Sequence, residues 1–164
     1  MAGLFIMITL VSLLIPSNVQ VTRGVVVNAT AQQVFAQIAN LQNWKNWQPV
    51  FKSNPSTIRF SKDSTTVNSY CEWESGGNQN KFIITAIGEN QLTISLVRKG
   101  ENDVVNRLSV LPLADPGQVQ VEWSALTKLK WYPWEKFYGI FIEKISGGGY
   151  EEALKSLKYF VESN

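Results

Sequence analysis

Apolar and polar positions change their period along the chain. Residues 3–15, GLFIMITLVSLLI, are largely apolar, carry no charge and stop at Pro16. Residues 19–28 are rich in valine and predict a first strand. From Thr30 the period lengthens. Thr30 and Gln33 have capping-box spacing, in which each side chain satisfies an orphan backbone N–H at a helix start. Val34, Phe35, Ile38 and Leu41 then recur at helical spacing. Short helices are therefore predicted over 31–39 and 41–47, followed by a loop over 48–56 that carries Pro49 and Pro55.

Period two takes over next. Strand-like runs at 57–61, 67–74, 81–87, 92–97, 104–111 and 119–126 are separated by turn signals such as Ser75-Gly76-Gly77-Asn78 and Asp115-Pro116-Gly117. Leu92, Ile94 and Leu96 oppose Thr93 and Ser95, and Val119, Val121, Trp123 and Ala125 oppose Gln118, Gln120, Glu122 and Ser124. One polar face predicts an antiparallel sheet covered on its other side. Short connections predict a meander. Phe82, Ile83, Ile84 and Ile87 make one strand apolar on both faces, which predicts a more covered position. The cover is a helical stripe of Tyr150, Ala153, Leu154, Leu157, Phe160 and Val161. An upstream helix over 136–146 carries Phe137, Phe141, Ile142 and Ile145, and Gly147-Gly148-Gly149 is expected to break the two apart. Together these patterns predict an α+β fold over 17–164: a curved antiparallel sheet of six to seven strands, two short helices after the first strand, and a long C-terminal element in the concavity.

Composition narrows the chemistry. The chain has 164 residues, enough for one domain, with 45% hydrophobic and 17% charged residues, which excludes a disordered chain. The net charge of +2 and the absence of a basic run give no field for nucleic acid. Lys45, Lys52 and Lys62 are too few to line a strand-binding groove among the tryptophans. Cys71 is the only cysteine, so no intrachain disulfide or cysteine-built zinc site exists. It reads as a small strand residue. There is no histidine. That removes the commonest acid–base group and metal ligand and excludes Ser-His-Asp and Cys-His catalysis. No metal site, cofactor or recognisable triad is expected.

Three clusters are candidates for function. Trp44 and Trp47, at i and i+3, either wall a cavity mouth or pack the short helices onto the sheet. Residues 130–137, KWYPWEKF, place Trp131, Trp134 and Phe137 beside a helix start, where rings either line a pocket mouth or plug one end of the domain. Polar strand residues Tyr70, Glu72, Glu74, Arg98 and Arg107 form the third set, with Tyr70, Glu72 and Glu74 on one side and Cys71 and Trp73 on the other. An inward Glu or Arg is costly unless paired or bound to the polar end of a ligand. The triple glycine lacks the following Lys-Ser/Thr of a phosphate loop.

The order strand, capped helix and VFAQIANLQNWKNWQP, followed by hairpins, KWYPWEKFYG and FIEKISGGGYEEALKSLKYF, resembles the START-like helix-grip superfamily that includes the birch-pollen-allergen proteins. More closely it is similar to the bacterial polyketide cyclase/dehydrase branch. The resemblance implies a helix-grip fold around an apolar cavity that takes a lipid-, quinone- or polyketide-like molecule. It carries over no catalytic residue. Cavity candidates on this reading are Trp44, Trp47, Tyr70, Glu72, Trp73, Arg107, Trp123, Trp131, Trp134, Phe137, Phe141 and Leu157. Non-catalytic binding is the leading expectation. A cyclase/aromatase-like enzyme working through Tyr, Glu or Arg is the alternative, and a protein–protein module with a collapsed cavity is a third. Relatives in this branch carry an apolar helix before the first strand, so residues 1–16 are expected to be a membrane anchor, with residues 2–15 making the membrane contact. A secretory signal and a segment packed on the domain are the competing readings. Arg23, the nearby positive charge, hints at a cytoplasmic domain.

Overall fold

The computed structural model describes residues 7, 9, 11, 12, 14, 16–53 and 55–164, apart from the side chains of residues 140 and 143. Among the described residues seven strands form one antiparallel sheet: β1 (Asn18–Val27), β2 (Arg59–Phe60), β3 (Tyr70–Ser75), β4 (Asn78–Ile87), β5 (Gln91–Arg98), β6 (Val104–Pro112) and β7 (Val119–Lys128). Their order is β1-β7-β6-β5-β4-β3-β2, so a meander is closed by the first strand pairing with the last. Three short helices, α1 (Ala31–Ala39), α2 (Trp44–Trp47) and α3 (Pro49–Ser53), lie between β1 and β2, and α4 (Pro133–Glu162) follows β7. This is the helix-grip arrangement.

Local chemistry explains the elements. Thr30 and Gln33 cap α1 reciprocally, and Gly76 and Gly77, at φ 59° and 77°, form the two-residue turn joining β3 to β4. Residues 48–56 are more ordered than a loop. Pro49 sits where its missing N–H costs nothing and opens α3. The two-sided apolarity of β4 has a different cause from the one expected. The pairing slips between Ile84 and Ala86, so the alternation restarts and Ile87 is partly exposed.

Two expectations are corrected. First, α4 runs unbroken through Gly147-Gly148-Gly149 for 30 residues. Glycine costs a helix roughly 1 kcal/mol per residue against alanine but does not remove a backbone donor. Gly147 also serves packing, because a Cβ there would run into the Arg23 guanidinium on β1. Second, the membrane anchor is not supported. The expected segment lies largely outside the described residues, and among those described no helix is long and apolar enough to cross a membrane. A span takes about 20 apolar residues. α4 has the length, but Glu135, Lys136, Lys144, Glu151 and Lys155 interrupt it. The membrane-associated assignment, with its cytoplasmic lean, falls with the anchor.

α4 is held at both ends. At its start, Glu135 Oε2 accepts from Asn102 Nδ2 (2.8 Å) and the Lys130 amide (3.3 Å), and buried Lys136 donates to Ser17 Oγ (2.6 Å). At its end, Glu162 Oε1 accepts from the Asn28 amide (2.7 Å) and Asn28 Nδ2 (2.8 Å), and Lys158 Nζ donates to the Val26 carbonyl (2.8 Å).

Under the C-terminal half of α4 the concavity is filled by aromatic rings. Trp44 lies 5.0 Å from Trp47, 5.5 Å from Phe82 and 5.7 Å from Trp123, and Phe51 and Trp73 extend the cluster. Ala153, Leu154 and Leu157 cover it. One polar pair is enclosed beside it. Buried Asn106 accepts from Trp123 Nε1 (2.9 Å) and donates to the Val104 carbonyl (3.0 Å).

Two consequences can be measured. Asn106→Ala leaves the Trp123 indole N–H buried without a partner, at a cost of about 1–3 kcal/mol. Urea denaturation should show that loss, and Trp123→Phe in the same background should add less than it does alone. Hydrogen bonding, chiefly from the Asn28 amide, holds the Glu162 carboxyl below its ordinary range. Its contribution to stability is present above the unfolded carboxylate pKa, about 4.3, and fades as pH falls through the lower folded value. Glu162→Gln should therefore flatten the acid limb of the melting temperature measured against pH.

Candidate functional site

The aromatic cluster stops short of the middle of α4, and space remains there. Ile142, Ser146, Gly149 and Tyr150 face the sheet across an open groove with two adjoining chambers. One, about 420 Å³, is bounded by Val50, Trp73, Phe82, Leu96, Trp123 and Gly149, with Gln48, Ser75, Asn78 and Asn80 as polar neighbours. The other, about 410 Å³, is bounded by Val21, Val104, Ala125, Leu129, Ile142 and Ile145, with Glu135 and Asn102 at its side. Arg98, Glu101, Ser146 and Tyr150 border both. Apolar walls that meet convergent polar groups can hold a small molecule, and here polar groups are about as numerous as apolar ones.

Those shared groups arise from local structure. Leu92, Leu96 and Arg98 fall on the same face of β5, so period two carries an arginine inward at the strand end. Gly100, at φ 81°, turns the chain so that Glu101 Oε2 reaches Arg98 Nη1 at 2.9 Å. Arg98 Nε is buried and has no hydrogen-bond partner among the described residues. The Tyr150 ring lies 5.2 Å from Trp123. Burial pushes the Tyr150 phenol above its ordinary pKa, against a smaller opposing pull from the Arg98 charge, so it stays a neutral donor at physiological pH. A Cβ added at Gly149 meets nothing within 4 Å, so the backbone of α4 there opens onto the chamber.

The structure divides the candidates named from the sequence. Trp73 and Trp123 border a chamber. Trp44, Trp47 and Leu157 are wholly buried in the packed half. The two tryptophans there hold structure together, since their indole N–H groups donate to the Ile38 (2.8 Å) and Gln37 (3.4 Å) carbonyls, which α1 leaves open at its end. Tyr70 and Glu72 lie on the convex face opposite buried Cys71 and Trp73, and Lys81 Nζ sits 3.7 Å over the Tyr70 ring. Arg107 is exposed on that face too. Glu72, Glu74, Arg59, Lys81 and Lys99 border a cleft of about 430 Å³ there, but its charges of both signs belong to a solvated surface. Trp131, Trp134 and Phe141 point outward, 65%, 64% and 56% exposed, and Phe137 is 39% exposed. Tyr132 stacks on Trp134 at 4.9 Å. The Trp131, Trp134 and Phe137 rings of KWYPWEKF therefore do not line the groove, although Glu135 of the same segment borders it.

Arg98 stands among the polar strand residues of the sequence but outside its cavity candidates. The Leu92-Ile94-Leu96 alternation, continued by two residues, points to it. Ser146 and Gly149 have no such signal, since they join the site only when α4 folds back over the sheet, and Glu101 joins it through the turn at Gly100. Among the described residues no group of three His, Cys, Asp or Glu side chains is placed to hold a metal ion.

An open antiparallel sheet gripping a long terminal helix, with a groove between them, defines the START-like class. Within it, residues 18–162 match the family model described as polyketide cyclase / dehydrase and lipid transport, and the chain belongs to that family. Similar solved structures include a START superfamily protein from Mycobacterium smegmatis, at 20% identity over 88% of this chain and 98% of that one, with a TM-score of 0.65. Norcoclaurine synthase from Thalictrum flavum, in complex with dopamine and hydroxybenzaldehyde, matches at 12% identity over 90% and 88%, with a TM-score of 0.70. An uncharacterized protein from Bacillus thuringiensis matches at 16% identity over 88% and 99%, with a TM-score of 0.63. At these identities the likeness is one of fold. No curated protein matches the chain.

Cys71 is buried on β3 beneath the aromatic cluster, and burial pushes its thiol up to about 12 despite a hydrogen bond from the Phe82 backbone that lowers it. A thiol with so little thiolate is inert. At pH 8 a thiol reagent should label Cys71 only as fast as the domain opens, with the rate rising with urea. Rapid stoichiometric labelling of the native protein would contradict this burial.

Proposed function

We propose that the protein binds a hydrophobic small molecule in the groove between α4 and the sheet. The observation that carries this reading is the pair of chambers left open under residues 142–150 while the other half of the concavity is packed solid. The family description, which includes lipid transport, supports it. So does the chemistry of the groove, where apolar walls meet convergent polar groups. A collapsed cavity is disfavoured because the Trp and Phe side chains that would fill it are engaged at the Trp44 end.

A catalytic reading has one observation in its favour. Tyr150, a neutral phenol, and the Arg98–Glu101 pair converge on the same space. Proton transfer by Tyr or Glu is available without histidine. Turnover becomes testable once a bound molecule is identified.

Native mass spectrometry of the full chain purified from its own host, with organic extraction of the bound fraction, tests the proposal. A reproducible lipid-, quinone- or polyketide-like mass is expected. A clean apo mass with no uptake from a lipid panel would contradict it. Gly149 gives the matching variants. Gly149→Ala should raise stability by about 1 kcal/mol through helix propensity alone. Gly149→Phe should fill the chamber and abolish binding while circular dichroism stays native. A folded Gly149→Phe protein that keeps its ligand would place the ligand elsewhere.

A further inference from the structure

The most unusual group in the groove is the Arg98 guanidinium. Buried donors without a partner are exceptions in folded proteins and call for an explanation. Arg98 has five N–H donors, and its ion pair with Glu101 uses Nη1. The Nε donor is the unmatched one. Nε and Nη2 form the other edge of the planar group, a fork whose spacing matches the two oxygens of an oxyanion.

Charge placement agrees. Among the described residues Arg98 is the one cation bordering the two chambers, and it borders both. The two carboxylates at the groove are already engaged: Glu101 by Arg98, and Glu135 by Asn102 and the Lys130 amide. A cationic ligand would find satisfied carboxylates. A wholly apolar one would cover the exposed part of the guanidinium and leave its remaining donors without water or a partner, which is costly for a charged group. Ser146 and Tyr150 border the same junction and supply two more hydroxyl donors. The Arg98 side chain remains 33% exposed, so the groove reaches it.

We propose that the ligand of this groove is an amphipathic anion, an apolar body bearing a carboxylate- or sulfonate-like head that pairs with the Arg98 guanidinium. This rests on the binding reading above and specifies its ligand class.

A matched dye pair tests it on the full chain: anilinonaphthalene sulfonate and its uncharged parent phenylnaphthylamine, which share one ring system. Both are expected to bind, and Gly149→Phe should exclude both. Arg98→Met should weaken the sulfonate about tenfold or more, the usual loss for a charge-assisted hydrogen bond, and change the parent less than about twofold. Glu101→Gln, which frees Arg98 from its competing carboxylate, should tighten the sulfonate and leave the parent unchanged. If Arg98→Met fails to fold, Arg98→Lys keeps the charge without the fork and should still weaken the sulfonate selectively. Two dyes that bind and respond equally to every Arg98 and Glu101 variant would overturn the head-group assignment while leaving the groove reading intact. Failure of both dyes to bind the wild-type chain would overturn both.

Discussion

The fold depends on where its aromatic rings stop. Trp44 is enclosed by Trp47, Phe51, Phe82 and Trp123, and its indole N–H is tied to the Ile38 carbonyl. This cluster sets the distance between sheet and helix at one end of the concavity. Such rings supply much buried apolar area, and their edge and face contacts have preferred geometries. α4 is one continuous helix, so a spacing set at its C-terminal half is carried toward its N-terminal half, where no tryptophan fills the gap. The groove is the result. It is a consequence of uneven filling under one continuous helix, and Gly149, with no side chain, borders it.

Electrostatics then gives the groove a direction. Its ends differ little in polarity, but its middle holds Arg98, Glu101, Ser146 and Tyr150. Ionised groups near apolar walls act more strongly than on the surface, because less water screens them. On the proposed reading, a bound molecule is anchored by its polar part at the junction and fills the chambers with its apolar part. The clasps at both ends of α4, through Glu135 and Glu162, keep the helix seated without using any of these groups.

Much of this was readable in the chain. Period two in β5 and β7, the Thr30–Gln33 cap and the stripe from Tyr150 to Val161 define the sheet, the first helix and the cover. Their signals are local, set by side chains a few residues apart. The site was less readable because it is built from distant residues. Arg98 follows from strand alternation, yet whether that face is open or packed depends on rings from α2 and on the path of α4. Tryptophans stand out in sequence, but Trp44 and Trp47 serve the packed half and Trp131 and Trp134 face outward. The triple glycine suggested a break because glycine weakens isolated helices. In the folded chain, tertiary contacts such as the seat of Arg23 on Gly147 outweigh that preference.

On this account the open half of the concavity, and no other surface, receives the ligand. The six tryptophans can report on it directly, since each carries one indole N–H observable by nuclear magnetic resonance. On titration with phenylnaphthylamine, Trp73 and Trp123 should shift most, Trp44 and Trp47 little, and Trp131 and Trp134 not at all. Shifts concentrated at Trp131 and Trp134, with Trp73 and Trp123 unmoved, would contradict the account and place binding on the outer face of α4.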